Sequence, residues 1–200
     1  MIGTFFHWGP FVANYKLSDN FCNTLKEKGD MRKEQKLYAN KSLAGHFNTE
    51  YYFNDDDIQW FVNNTQHIFT DYFEGRKAYD GSKDNIDVKI KLTPMWINYM
   101  KAGDFNPIHT HTGDLSFVLF LDVPSELKTE NMEERNNDKH GGPGALTFIH
   151  GDITDYSISC NTIFPEKGDM FVFPARVRHM VYPFKSKVER VSVSGNLEYI

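Results

Sequence analysis

Asn85-Ile-Asp-Val-Lys-Ile-Lys-Leu92 is the stretch on which the fold class turns. Ile86, Val88, Ile90 and Leu92 alternate with Asp87, Lys89 and Lys91. A period of two sends successive side chains to opposite faces of a strand. Short β-rich runs follow at 95–100, 115–123, 145–148, 158–164, 170–173 and 188–193, punctuated by Gly, Pro, Asn and Asp. About eight short strands with turn signals between them predict a sandwich or barrel. Within this half, 125–144 is strongly polar, contains Glu133-Glu-Arg-Asn-Asn137 and ends in Gly141-Gly-Pro-Gly144. It reads as a long exposed loop, of the kind that forms lids or binding loops.

Upstream of residue 85 the texture is helical. Ser18 is placed to cap a helix through Phe21, Leu25 and Lys28, which Gly29 would end. A second helix is expected from Asp55 or Asp56, with Ile58, Phe61, Val62, Thr65, Phe69, Tyr72 and Phe73 on one side and Gly75 closing it. Between them, 41–53 reads as irregular or extended. The domain expectation is one unit over 1–200, a helical or irregular segment at 1–84 and a β core at 85–200.

Composition narrows the class. Hydrophobic residues at 40% and aromatics at 15% belong to a folded chain. A net charge of −5 argues against a general nucleic-acid binder, which needs a basic face. Cys22 and Cys160 form no CxxC and point to a reducing compartment. The start, MIGTFFHWGPFVANYKL, lacks the basic and apolar regions of a leader, and no run approaches the roughly 18 apolar residues of a membrane span. The expectation is a cytoplasmic protein with no membrane partner; a homo-oligomer stays open.

Three fragments hold the chemistry. In Gly103-Asp-Phe-Asn-Pro-Ile-His109-Thr-His111-Thr-Gly-Asp114, two histidines one residue apart would share a strand face and could reach one metal ion. Asp114 offers a carboxylate just beyond. The competing reading is a pair of exposed loop histidines. In Gly168-Asp-Met-Phe-Val-Phe-Pro174 a tight turn feeds a strand that the proline stops, and His179 follows after a short loop. A lone histidine there is most often structural; beside an HxH pair it becomes a third ligand, and non-haem Fe(II) oxygenases need such a facial set. In Arg190-Val-Ser-Val-Ser194 alternation puts Arg190, Ser192 and Ser194 on one face and Val191 and Val193 on the other. If the valines face the outer packing layer, Arg190 is buried and needs an anion, and Glu189 points the wrong way. A ligand carboxylate would suit, with Ser192 assisting. The remaining histidines, His7, His46, His67, His140 and His150, have no partner at ligand spacing, and Tyr51 and Tyr52 are candidates for the border of a substrate cleft.

Trp96-Ile-Asn98, Gly103-Asp-Phe-Asn-Pro-x-His-x-His, Leu115-Ser116, Gly168 through Phe-Pro to His179, and Glu189-Arg-Val-Ser192 together resemble the 2-oxoglutarate/Fe(II)-dependent oxygenases of bacterial and phage type, over roughly residues 90 to 196. The resemblance implies a double-stranded β-helix (jelly-roll or cupin-like) core packed against helices. It implies Fe(II), 2-oxoglutarate and O₂ as cofactors, and hydroxylation of a peptidyl or small-molecule substrate with formation of succinate and CO₂. It also assigns His179 to iron and Arg190 and Ser192 to the distal carboxylate of 2-oxoglutarate, with Asn98 and Ser116 lining the pocket. Most relatives carry His-x-Asp or His-x-Glu where this chain has His109-Thr-His111. Either three histidines bind iron, or Asp114 serves, or water completes the site. The Gly103 to His111 fragment also resembles the cupin entry motif, so a cupin-type metal enzyme without 2-oxoglutarate is the alternative; a non-catalytic jelly-roll module is the third.

Overall fold

The computed structural model describes residues 9–39, 43–45, 49–81, 89–135 and 141–200. Four elements come first: β1 (Ala13–Lys16), α1 (Asp19–Glu34), β2 (Glu50–Tyr52) and α2 (Asp55–Asp80). After them run β3 (Ile90–Met100), β4 (Asn106–His109), β5 (Leu115–Asp122), α3 (Ser125–Glu134) and β6 (Leu146–Ile149), then β7 (Cys160–Ile163), β8 (Asp169–Pro174), β9 (Arg178–Val181) and β10 (Arg190–Tyr199). The strands form two antiparallel sheets, a large one in the order β1-β8-β5-β10-β3-β2 and a small one in the order β4-β9-β6-β7.

The large sheet is apolar on one face and mixed on the other. Its outer face meets α1 and α2 in a core containing Leu25, Phe61, Phe69, Ile97, Phe117, Leu119, Val172 and Val193. Its inner face meets the small sheet through Phe120, Phe171 and Phe173 against Leu146, Phe148 and Val181. Sandwiched between these layers, β5 is buried on both faces, which is why 115–123 reads as an unbroken apolar run rather than an alternating one. Burial of each large apolar side chain contributes roughly 1.5–3 kcal/mol. The expectation of a mainly β fold with helices packed on it holds.

Several expected boundaries are corrected. Gly29 does not end α1. The helix runs on to Glu34, and Gly29 lies inside it because a Cβ there would sit 2.2 Å from Ile97 Cδ1. That glycine serves close approach of helix and sheet. The Ser18 cap is present, its side chain accepting from the Phe21 amide. Gly75 does not close α2 either. It faces the Phe11 ring, and the helix ends at Gly81, whose φ of +71° suits a left-handed cap. The 1–84 segment is not purely helical or irregular, since β1 and β2 are strands of the large sheet. β3 begins at Ile90; residues 82–88, where its expected start falls, lie outside the described residues. From residue 89 on, the described residues form eight strands, β3 to β10, in keeping with the expected number, and β1 and β2 of the earlier segment add two more.

The 125–144 stretch is not a long loop. Its first half is α3, anchored by buried Leu127, Glu130 and Asn131. Glu130 accepts from the Lys185 and Ser186 amides at 2.8 Å each. Asn131 Nδ2 donates to the Gly141 and Pro143 carbonyls at 2.9 and 2.8 Å. Glu130 and Asn131 thus satisfy backbone groups, while Glu133, Glu134 and Arg135 are exposed and Asn136 and Asn137 lie outside the described residues. No helix among the described residues is long and apolar enough to cross a membrane.

Candidate active site

His109 ends β4 and His179 lies in β9, and the two are directly opposed in the antiparallel register. His111 lies past the end of β4, not on it as the sequence suggests, and is held by its amide, which donates to the Ala175 carbonyl at 2.8 Å. The three rings converge, with centroids 4.2 Å apart for His109 and His179, 4.9 Å for His111 and His179, and 5.0 Å for His109 and His111. One nitrogen from each lies within 4.8 Å of the others. Among the described residues no carboxylate joins them. Asp114 is exposed at the start of β5, and its Oδ2 accepts from the Tyr199 amide at 2.8 Å. His67 and His150 stand exposed away from the cluster, while His7, His46 and His140 lie outside the described residues.

Hydrogen bonds set the ring orientations. His109 Nδ1 lies 2.7 Å from the Pro107 carbonyl, and His179 Nδ1 lies 2.9 Å from the Val177 carbonyl. A carbonyl only accepts, so each Nδ1 bears the proton and each Nε2 presents its lone pair. His111 Nε2 is 3.1 Å from His179 Nε2. Burial, then the His179 and His109 rings, push His111 down to about 3. Burial and the His109 ring push His179 down to about 4, and burial lowers His109. The cluster is therefore neutral imidazole at pH 7, the form that ligates a metal. With His179 Nε2 unprotonated, His111 Nε2 either donates to it or, in its other tautomer, presents a third lone pair, and in that tautomer the three inward nitrogens fit a cation.

The imidazoles line one end of a cavity of about 340 Å³ between the two sheets, whose wall also includes Trp96, Asn98, Phe173, Arg190 and Ser192. Alternation in β10 sends Val191 and Val193 into the helix-side core and Arg190 and Ser192 toward the cavity. Arg190 is 3% exposed. Its Nη1 donates to the Gly144 carbonyl at 2.8 Å, its Nη2 lies 2.9 Å from Met100 Sδ, and the guanidinium sits 5.2 Å from the Phe120 ring centroid. Among the described residues no carboxylate pairs with it, and its Nε has no hydrogen-bond partner. Burial alone lowers its pKa to about 10, so it stays charged. Glu189 points outward to Lys33 and Lys101, at 3.8 and 3.7 Å. A buried, unneutralised guanidinium fits an anionic ligand.

The other expected pocket residues differ in placement. Asn98 lines the cavity opposite Ser192, and long contacts of 3.4 to 3.5 Å turn its Nδ2 toward Ser192 and Ser194. Ser116 is not among the lining residues; its hydroxyl donates to the Gly195 carbonyl and to Asn196 Oδ1 at 3.1 Å each. Tyr52 reaches the cavity, whereas Tyr51 is buried in the helix-side core. Glu50, which drew no notice in the sequence, also lines it. The signal was present: in Glu50-Tyr-Tyr52 a strand period puts the acid and Tyr52 on one face.

Residues 94–196 match the model of the family described as "Putative 2OG-Fe(II) oxygenase". The chain belongs to this 2-oxoglutarate/Fe(II) oxygenase family. It is an oxidoreductase whose family uses Fe(II), 2-oxoglutarate and O₂, which sets aside the cupin-type and non-catalytic readings. Among solved structures, a Pseudomonas putida prolyl-4-hydroxylase is similar at 14% identity and a TM-score of 0.63, over 94% of this chain and 92% of that one. The viral collagen prolyl hydroxylase from Paramecium Bursaria Chlorella virus-1, solved as a 2-oxoglutarate complex, is similar at 15% identity and 0.58, over 94% and 96%. A Trichoplax adhaerens prolyl hydroxylase in complex with a hypoxia inducible factor peptide fragment is similar at 13% identity and 0.59, over 94% and 83%. These likenesses identify the fold as the double-stranded β-helix of the oxygenases. No curated protein matches the sequence.

Proposed function

We propose that His109, His111 and His179 hold Fe(II), and that Arg190 with Ser192 holds the distal carboxylate of 2-oxoglutarate. The observation behind this is the juxtaposition in one cavity of a neutral three-imidazole cluster and a buried cation that no acid among the described residues pairs. Iron and 2-oxoglutarate, when bound, supply the activation of O₂ characteristic of the family. The balance is one substrate C–H, one 2-oxoglutarate and one O₂ giving one C–OH, one succinate and one CO₂.

The protein's own part is binding, orientation and exclusion of water. Arg190 offers charge-assisted donors to a carboxylate, and its Gly144 contact keeps the guanidinium from turning away. Ser192 Oγ is approached by the Asn98 amide nitrogen, which leaves the hydroxyl proton for the same carboxylate. Phe120 and Phe173 keep that end apolar, which strengthens every charge interaction in it. Three neutral ligands leave both iron charges uncompensated by protein, a deficit the dianionic co-substrate offsets. The substrate we favour is a peptidyl side chain, entering where 43–45 and Tyr52 border the cavity. The peptide-bound structural neighbour is in keeping with this. We also read the chain as one folding unit, since β1 and β2 complete the large sheet, acting in the cytoplasm.

Titration of 2-oxoglutarate into Zn(II)-loaded protein tests the reading. Saturable heat is expected, lost in His179→Ala together with stoichiometric metal. Equal 2-oxoglutarate binding by the wild type and Arg190→Ala would refute the assignment.

A further inference from the structure

Arg190 is steered by residues that are not on the cavity wall. Two loops meet behind it: 182–189, which leads into β10, and 141–145, which leads into β6. Helix α3 is bound to both through two consecutive buried residues. Glu130, 8% exposed, accepts from the Lys185 and Ser186 amides and from the Ser186 hydroxyl. Burial alone would raise its pKa, but that hydroxyl and those amides hold it below the ordinary carboxylate value, so it accepts as an anion. Asn131, 3% exposed, donates to the Gly141 and Pro143 carbonyls. The next carbonyl along is that of Gly144, which takes the 2.8 Å bond from Arg190 Nη1. The helix also presses on this residue directly, since a Cβ at Gly144 would fall 2.9 Å from Leu127 Cδ2.

Both loops carry this placement onward. Val188 N donates to the Ser186 carbonyl at 2.8 Å, so the turn that Glu130 grips feeds straight into β10, which Arg190 begins. On the other side, β6 starts two residues past Gly144, and its register sets Leu146 opposite Val181 and Phe148 opposite His179. The Phe148 ring lies 6.1 Å from the His179 ring. One short strand thus spans from the Arg190 contact to the imidazoles, and at about 3.3 Å per residue its length is fixed. A carboxylate buried on a helix returns little stability, because its desolvation offsets its bonds. A fully satisfied polar network gives rigidity instead, and here the rigidity is delivered to Arg190.

We propose that Glu130 and Asn131 are positioning residues which, by fixing the two loops behind Arg190, set the depth of the co-substrate pocket and with it the preference for a five-carbon 2-oxo diacid. The inference rests on the oxygenase reading above and assigns the part of the chain that selects its co-substrate. The distance from guanidinium to imidazoles is what such a diacid must span. One methylene more or less moves its far carboxylate on the order of 1 Å, an error that a positioned site registers. Loosening either loop lets Arg190 follow a longer ligand, so the loss falls on discrimination rather than on metal binding.

The test is calorimetry on full-length protein loaded with Zn(II), with 2-oxoglutarate and its six-carbon homologue 2-oxoadipate as probes. The wild type is expected to bind 2-oxoglutarate at least about tenfold tighter, the discrimination that one methylene gives in a shaped pocket. In Asn131→Ala and in Glu130→Gln that ratio should fall at least about threefold, while Zn(II) affinity stays within about twofold of wild type. Ser186→Ala, which removes only one donor to Glu130, should show a smaller fall in the same direction. Phe69→Leu, in the helix-side core, lowers stability without touching either loop and should keep the wild-type ratio. A wild type that does not discriminate, variants in which both diacids weaken in equal proportion or not at all, or a ratio that falls as far in Phe69→Leu would overturn the proposal. If Asn131→Ala and Glu130→Gln do not fold, Ser186→Ala decides, and an unchanged ratio there overturns it. Failure of the oxygenase reading is distinguishable, because it shows as absence of 2-oxoglutarate heat in the wild type.

Discussion

The two faces of the large sheet are made by the same strands under opposite rules. On the helix side, Val191, Val193 and Leu197 of β10 meet the aromatic stripe of α2, and Phe61 stacks on Phe117 at 4.9 Å. On the cavity side, one residue out of step, Arg190, Ser192 and Ser194 face polar neighbours, and among the described residues the Asn98 oxygen has no hydrogen-bond partner and the guanidinium no acid. The first face is optimised for burial. The second leaves polar groups buried and incompletely satisfied, a state that lowers stability and raises readiness to bind. Stability and function are divided here between the odd and even residues of single strands.

Substitutions on each face should therefore give opposite signatures. The largest effect is expected from Phe61→Ala, which opens a cavity in the helix-side core and should cost about 3–5 kcal/mol by urea unfolding. 2-Oxoglutarate affinity of the folded variant should stay within about twofold of wild type; a larger loss would mean the faces are not independent.

Next comes Glu50, through its pH dependence. Its folded pKa of about 7 lies above the model carboxyl value of 4.5, so the folded state holds its proton over a window in which the unfolded chain has released it. Stability from this group is complete below pH 4.5 and is lost as pH rises to about 7. Glu50→Gln removes the dependence. It should match wild type near pH 4 and exceed it by up to about 3 kcal/mol at pH 8. Identical pH profiles of melting would contradict the buried carboxyl.

Arg190→Met sharpens the comparison further. It exchanges an unneutralised buried cation for a side chain of similar length, so 2-oxoglutarate affinity should fall about 100-fold, or about 2.7 kcal/mol, while the melting temperature stays level or rises. A stability loss beyond about 2 kcal/mol would show that Arg190 holds the fold. The smallest effect is expected from Asn131→Ala. Its side chain ties down the Gly141 and Pro143 carbonyls, and through them places the Gly144 carbonyl against Arg190. A destabilisation of about 1–2 kcal/mol should be joined by a few-fold weaker 2-oxoglutarate binding. Unfolding and calorimetry measure the two separately.

The limits of the sequence are clearest at particular residues. His109, His111 and His179 were readable as a set because their spacing and residue type are independent of what surrounds them. Arg190 was readable on the condition that Val191 and Val193 face the packing layer, as they do. Gly29 was misread because a glycine that ends a helix and one that lets a strand approach look alike along the chain; only the Ile97 side chain distinguishes them. The polar stretch after Ser125 concealed α3, because two of its buried residues are polar: Glu130 serves the distant Lys185 and Ser186 amides, and Asn131 the nearby Gly141 and Pro143 carbonyls.

Local pattern thus determined the β core, the helix-packed face and the histidines and arginine that the cavity gathers. Period and residue type act within a few residues, where no long-range information is needed. Only the tertiary structure brought Glu50 of an early short strand into register with Asn98 and Ser192, and left Asp114 outside the imidazole cluster. Those outcomes depend on strand order and on distances between residues far apart in the chain, and pairing of that kind is settled by packing.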